Sequence, residues 1–472
     1  MELTAASFIL TEDCTLACDY CYEKGKNIKT HVMTEKTAKD AVDFLISNAL
    51  KETGDRRKID VTYFGGEPLM NLSVMRFIME YGYKRTKELN IGFGSMLVSN
   101  ATIWNDEYED FILRWKELSG NNINIQLSID GIPKIQDIHR YTITGGKSSI
   151  MVEINAKKHV EFFKKHGIKE SSLQIHSVVS KASLPYLNEN DKYFKETLGI
   201  KKIWHLLLHE ENWDNSDVEI YKKELDKIGS KVLSGCIESN NMNLYNLASN
   251  VNLKRDKKPS ATCGAGKDFC TIGFDGIVYP CHAFAFEDRD SAIGDIYNGI
   301  DESARQIYLD VTMENMIGIE SCSTCSNNTC KICLATNKKF NKNMVLGFPK
   351  YCKMSKAEYN YKKELNKEIK EVFNISDNKN TKYNINYNPD NNKQNTCKPS
   401  NDKVFSEEQL KIIDDNIIKM TQPAINDIKQ KINNNIKIIN NNGNDINKLK
   451  TDFSEILKIV SNILDKLSKE DK

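Results

Sequence analysis

The stretch that most limits what this chain can fold into is Cys14-Thr-Leu-Ala-Cys18-Asp-Tyr-Cys21, three cysteines set just after the apolar run Ser7–Leu10. Three thiolates can hold three irons of a four-iron cluster and leave the fourth iron open to a small molecule. Zinc favours four ligands in paired-cysteine modules, and no fourth ligand stands nearby in the chain. A zinc loop, or three unrelated thiols, is the competing reading. The position of the loop adds to the argument. Barrels of βα units keep their chemistry at the C-terminal ends of their strands, and the first cysteine follows the first strand by only a few residues.

The chain has 472 residues, 66 basic against 65 acidic, for a net charge of +1. No bulk field draws it to nucleic acid or to an anionic membrane. Its start lacks a basic segment followed by an apolar one, and no apolar run reaches the ~18 residues of a membrane span. Thirteen cysteines without an export signal point to metal ligation rather than disulfides, and to the cytoplasm.

From residue 6 to about 210, strand-like runs alternate with helix-period segments. The strands are Ser7–Leu10, Ile59–Phe64, Ser95–Ser99, Ile123–Ile129, Leu173–Val179 and Ile203–Leu208. The helices include Glu35–Leu50, Val74–Leu89, Glu107–Leu118 and Met151–His166. This order predicts an α/β fold of parallel βα units. After a helix at 216–240, residues 241–372 hold eight of the thirteen cysteines and few long periodic runs, as in a small domain stapled by metal, closed by a helix at 355–372. Residues 373–403 are polar and Asn-rich, a linker. Residues 404–472 carry apolar seams at helical spacing, Ile446, Leu449, Phe453, Ile456 and Val460 among them, with a turn at Asn442-Gly443. A helical hairpin packed on itself is the simplest account, and a docking arm is the sharper one.

Several strand ends carry further candidates. Tyr63-Phe-Gly-Gly-Glu-Pro68 closes the second strand; glycines let a backbone approach a ligand, and Glu67 can accept from an ammonium. Ser99-Asn100-Ala101-Thr102 and Ser128-Ile-Asp-Gly-Ile132 end the third and fourth, followed by Asp137-Ile-His-Arg140. Asp130 also suits a loop cap, and His139 a packing role.

These motifs together resemble the radical S-adenosylmethionine (radical SAM) enzymes. The resemblance implies a partial (β/α)6 barrel over residues 1–240, with a [4Fe-4S] cluster on Cys14, Cys18 and Cys21 and an aromatic at Tyr20. It implies S-adenosyl-L-methionine bound by Gly65, Gly66 and Glu67 at its amino group, with Ser99, Asn100, Ser128 and Arg140 around its other groups. The family more often has Thr-Asn-Gly where this chain has Ser99-Asn100-Ala101.

Cys263, Gly276, Cys281, Cys322-Ser-Thr-Cys325, Cys330-Lys-Ile-Cys333 and Cys352 resemble the SPASM extension of that family, which carries two auxiliary [4Fe-4S] clusters. Two gaps are one residue shorter than the family pattern, which bears on Cys330 and Cys333. The resemblance implies Cys263, Cys270, Cys281 and Cys333 on an inner cluster and Cys322, Cys325, Cys330 and Cys352 on an outer one. A zinc ribbon at 322–333 is the alternative. Cys236 and Cys397 are expected to be bystanders.

Such enzymes draw electrons from a flavodoxin- or ferredoxin-type donor and act on a precursor peptide or protein. Formylglycine-forming sulfatase maturases carry an Asp directly after the cysteine matching Cys281. Here that residue is His282, in Tyr279-Pro-Cys-His282, which resembles the peptide thioether maturases. Carboxylate and imidazole differ by more than ~2 units in ordinary pKa, so the exchange argues for different chemistry. The expectation is a peptide maturase forming thioether crosslinks, with His282 as base or positioning group. Formylglycine formation is one alternative, and a non-catalytic iron–sulfur or zinc scaffold is another.

Overall fold

The computed structural model describes residues 2–22, 31–239, 263–327, 330 and 332–372. The chain divides into two units, Met1–Ile385 and Asn386–Lys472. The second unit, and with it the linker and hairpin expectations and Cys397, lies outside the described residues.

Six strands, β1 (Ala5–Ile9), β2 (Lys58–Phe64), β3 (Gly92–Ser99), β4 (Ile125–Ser128), β5 (Leu173–Val179) and β6 (Lys202–Leu207), pair in chain order, each parallel to the next. Between them run α1 (Glu35–Ala49), α2 (Leu72–Glu88), α3 (Asp106–Ser119), α4 (Pro133–His139), α5 (Ser149–Lys165) and α6 (Leu187–Lys192); α7 (Asn215–Ser239) follows β6. This is the open parallel barrel of βα units expected from the alternation.

Local chemistry places the helix ends. Thr34 Oγ1 accepts from Thr37 N at 3.1 Å to start α1, and Asn105 Oδ1 accepts from Tyr108 N at 2.9 Å to start α3. Gly120 ends α3 at φ 61°, a left-handed turn that costs glycine nothing. One face of each strand is apolar and buried against the helices: Ile59, Val61 and Tyr63 of β2, Ile125 and Leu127 of β4, Leu173 and Ile175 of β5. Tyr63 meets Phe111 and Trp115 of α3 edge-on, with ring centroids 6.2 and 6.0 Å away. Strand alternation turns the other face inward, and there the residues are Phe64, Gln126, Ser128, Gln174, His176 and Trp204.

The cysteine-rich segment continues the same sheet. β7 (Cys270–Ile272) pairs parallel with β1, and β8 (Ile277–Tyr279), β9 (Gly294–Asp295) and β10 (Gly299–Ile300) follow antiparallel. Gly276 takes φ 85° in the β7–β8 turn. The last described helix, Pro349–Val372, buries Tyr351 and Met354 with Trp213, Tyr221, Leu225 and Ile228 of the β6–α7 region. No described helix is long and apolar enough to cross a membrane.

The mouth of the barrel depends on two glycines. A Cβ on Gly65 (φ 135°) would stand 2.3 Å from Thr11 O, and one on Gly66 2.2 Å from Asp13 O. Gly66 N and Glu67 N donate to those same two carbonyls, at 2.9 and 2.8 Å. Gly66→Ala should therefore cost about 3 kcal/mol, at the upper end of overpacking penalties, and displace the cysteine loop. The checks are thermal unfolding and iron bound after anaerobic reconstitution; an unshifted midpoint with full iron would refute it.

Candidate active site

The cysteine loop follows β1 and is held from three sides. Residues 15–19 run beside residues 139–143, with Ala17 N donating to Tyr141 O at 2.8 Å and Asp19 N to His139 O at 3.0 Å. Asn100 Nδ2 donates to Cys14 Sγ at 3.4 Å and to Thr15 Oγ1 at 3.0 Å. Arg140 Nη1 reaches Cys18 Sγ at 3.9 Å.

Glu67 is fully buried and engaged within the protein. Its carboxylate accepts from Leu69 N at 3.2 Å, Asn100 N at 2.8 Å and Ser99 Oγ at 3.2 Å. It thus ties the β2 end to the β3 end, whereas the sequence suggested a side chain free for an ammonium. Burial pushes its pKa up to about 7, against the pull of those donors. The glycines before it likewise approach the chain's own backbone. Ser99 and Asn100 are buried beside Cys14 through the same network.

Asp130 is the second buried node. It accepts from Tyr20 Oη at 2.5 Å and from Val178 N at 3.1 Å. Its Oδ1 also lies 3.0 Å from Arg140 Nε. That last contact is an ion pair without hydrogen-bond alignment, since Nε meets no aligned acceptor. Tyr20 and Arg140, both expected at the cofactor, are therefore fixed by Asp130, which the sequence offered equally as a loop cap. The packing role foreseen for His139 is a bridge: Nδ1 lies 2.8 Å from Asp19 Oδ2 and Nε2 2.8 Å from Ser180 Oγ.

The downstream cysteines fall into two sets. Cys281 and Cys333 each stand at the N-cap of a short helix, His282–Glu287 and Leu334–Asn341. Burial pushes the Cys281 thiol up to about 12, backbone N–H groups of Phe284 and Ala283 draw it down, and Cys333 and Cys263 are the thiols that bear on it. Cys322, Cys325 and Cys352 are the thiols that bear on Cys330, which also accepts from Ser355 Oγ at 3.4 Å. The resemblance sets Cys270 with Cys263, Cys281 and Cys333. Cys270 lies in β7, fully buried, with Sγ directed at Ala5 O at 3.7 Å, and Arg305 is the charge that bears on it.

Cys14, Cys18 and Cys21 lie at the barrel mouth, and eight more cysteines lie between Cys263 and Cys352. Among the described residues no three metal-binding side chains are placed to hold one metal ion; a four-iron cluster is wider, with one ligand on each of its four irons. Three thiols at the barrel mouth suit such a cluster with one iron left open.

His282 lies between these groups. It is half-buried, stacks on Phe64 (4.7 Å) and sits 5.4 Å from the Tyr22 ring. Burial pushes its pKa down to about 4, and His176 of β5 adds to the shift. His176, Gln174 and Trp204 were missed from the sequence. Trp204 Nε1 donates to Gln174 Oε1 at 3.0 Å, and period-two polarity in β5 was the available signal. A cleft of about 580 Å³ lined by Tyr20, Cys21, Tyr22, Phe286, Lys338 and others opens beside the loop.

Comparison with known proteins agrees with this arrangement. Residues 5–114 match the family model for a 4Fe-4S single cluster domain. An uncharacterized protein of Methanocaldococcus jannaschii is 32% identical over 224 residues, 47% of this chain and 69% of the relative. One from Synechocystis is 24% identical over 191 residues, 39% of this chain and 43% of the relative. Among solved structures, anSMEcpe with bound AdoMet and a Cp18Cys peptide superposes at TM-score 0.59, 20% identity, over 78% of this chain and 99% of the other. That likeness is one of fold. The chain belongs to one family with the archaeal protein, and its fold is that of anSMEcpe.

Glu67 sets a pH dependence. Its carboxyl ionises near the ordinary 4.5 when unfolded and near 7 when folded. A raised folded value means stability is fullest below the unfolded value, is lost as pH rises towards 7, and levels off above it. The span corresponds to about 3 kcal/mol. Glu67→Gln should therefore gain in unfolding midpoint relative to wild type between pH 5 and pH 8; a pH-independent difference would refute this assignment. Cys270→Ala should leave the bound iron unchanged, whereas Cys281→Ala should lower it. Equal losses would place Cys270 among the ligands.

Proposed function

We propose that this enzyme is a peptide maturase that forms thioether crosslinks in a ribosomally made, Cys-rich precursor. The observation that carries the reading is His282, held next to Cys281 and stacked on Phe64 at the interior of the barrel. Bound S-adenosylmethionine and the reduced loop cluster would supply a 5′-deoxyadenosyl radical that takes a hydrogen atom from substrate carbon. Cys14, Cys18 and Cys21 would hold that cluster, and the ends of β2 to β4, with Gly65, Gly66, Ser99, Asn100, Ser128 and Arg140, would border the cofactor.

Cys263, Cys281 and Cys333 would hold the inner auxiliary cluster and Cys322, Cys325, Cys330 and Cys352 the outer. Forming a carbon–sulfur bond from a C–H and a thiol releases two hydrogens in all. One leaves as the abstracted atom, and the other as a proton and an electron. His282 is neutral, its pKa held low by burial, so its imidazole offers a lone pair for the proton though as a weaker base than an exposed histidine, and the auxiliary thiol sets would take up the electron. Tyr22, Phe64 and Phe286 exclude water around it. Gln174, His176 and Trp204 offer polar partners to a peptide backbone inside the barrel.

Formylglycine formation is the second reading, supported by the fold likeness to anSMEcpe over nearly all of that chain. The two differ in product. After anaerobic reconstitution, a Cys-rich peptide should lose two hydrogens per modified site without gaining an aldehyde, by mass spectrometry. His282→Ala should slow that change about a hundredfold, the lower range for loss of a general base. Release of 5′-deoxyadenosine without peptide should persist. An aldehyde product would favour the second reading, and unimpaired crosslinking by His282→Ala would remove His282 from the chemistry.

A further inference from the structure

The surroundings of the outer thiol set are more specific than its sequence pattern. Cys352 lies in the first turn of the helix Pro349–Val372, and a loop through residues 317–319 presses against it. A Cβ on Gly318 would stand 2.7 Å from Cys352 Sγ and 3.9 Å from Cys322 Sγ. Only glycine lets the loop come so close to both sulfurs. Next to it, the backbone N–H of Ile319 donates to Cys352. Four thiols that bear on one another across a cradle that a Cβ would fill suit a group wider than one metal ion, with one thiolate for each iron.

Ser355 is aimed at the same set. It stands three residues after Cys352, on the same face of the helix. A serine inside a helix commonly returns its hydroxyl to a carbonyl of the preceding turn. Here Ser355 Oγ donates to Cys330 Sγ at 3.4 Å.

Asn327 fixes the direction of that bond. Its Nδ2 donates to Ser355 O at 3.1 Å and to Ser355 Oγ at 3.0 Å. A carbonyl oxygen only accepts, so the NH2 end of the amide must face Ser355. The hydroxyl oxygen therefore accepts from Asn327, and its single hydrogen is left for the sulfur. Both residues are buried, so water does not compete for either bond. Lys356, beside Cys325 and Cys352, has its charge offset by Glu320. The buried hydroxyl has no such counterweight.

Hydrogen bonds to cluster sulfurs are among the influences that set a cluster's potential. Reduction adds negative charge that the sulfurs share, so a donor there favours the reduced state. We propose that Ser355, held by Asn327, is a positioning residue that raises the reduction potential of the outer cluster through its bond to Cys330. The proposal rests on the reading of Cys322, Cys325, Cys330 and Cys352 as ligands of that cluster. One electron enters on reduction, and no atom is transferred.

The test is a redox titration of the full, anaerobically reconstituted chain, followed by electron paramagnetic resonance. Wild type is compared with Ser355→Ala, Ser355→Thr and Asn327→Ala. In Ser355→Ala the equilibrium constant for reducing one cluster should fall about tenfold, which is about 59 mV for one electron. The other signals should titrate as before, and bound iron should be unchanged. Ser355→Thr keeps the hydroxyl and should behave as wild type, while Asn327→Ala should move the same cluster in the same direction. Unmoved potentials in Ser355→Ala with full iron would overturn the proposal. So would a Ser355→Thr shift as large as that of alanine, which would make the effect one of packing. Should Ser355→Ala fail to hold iron, Asn327→Ala decides: a lowered potential supports the proposal and an unmoved one overturns it. Failure of the cluster reading would show separately, as a Cys330→Ala chain with wild-type iron and wild-type potentials.

Discussion

The site depends on the contact between the ends of β1 and β2. Gly65 and Gly66 lie so close to the Thr11 and Asp13 carbonyls that no side chain fits between them. The two N–H groups that follow bond those carbonyls. Asp13 directly precedes Cys14, so the first cysteine takes its position from the end of the second strand. Glu67 passes the constraint on to the third strand through Ser99 and Asn100, and Asn100 returns it to Cys14. Three strand ends and the loop are one closed network. A buried carboxyl held by three donors is costly in isolation, and here it replaces a covalent link between strands.

A second network does the same from the other side. Asp130, at the end of β4, holds Tyr20, Arg140 and the backbone of Val178. Asp19, His139 and Ser180 continue it towards β5. The cysteine loop is therefore pinned to β2, β3, β4 and β5 without an element of its own. A loop without secondary structure can present thiols in a fixed geometry only when its neighbours determine it to this degree.

Much of this was legible in the sequence. The six parallel strands lie within a few residues of their expected bounds, because apolar runs bounded by turns and separated by amphipathic helices leave few other folds. The cysteine sets were legible because thiols at such close, repeated spacings stand out along the chain. Less legible was what each motif residue touches. Gly65 and Glu67 read as ligand contacts, and that they also meet the chain itself was not legible, since spacing along a sequence does not say which side of a strand end faces a neighbour. The extra strands β7 to β10 are only two or three residues long, too short for a period to show. His176, Gln174 and Trp204 look like ordinary polar residues until the sheet turns them inward.

The placement of His282 follows from a different constraint. Cys281 is the N-cap of a six-residue helix, where backbone N–H groups of Phe284 and Ala283 draw its thiol down against the larger upward push of burial. The helix packs by Phe284 and Phe286 into separate apolar clusters, which leaves its first side chain facing Phe64 and Tyr22. Whatever residue follows this cysteine will therefore face the interior near the cysteine loop. The fold supplies the position, and exchanging carboxylate for imidazole there changes the group that faces Phe64 and Tyr22 without altering either thiol set.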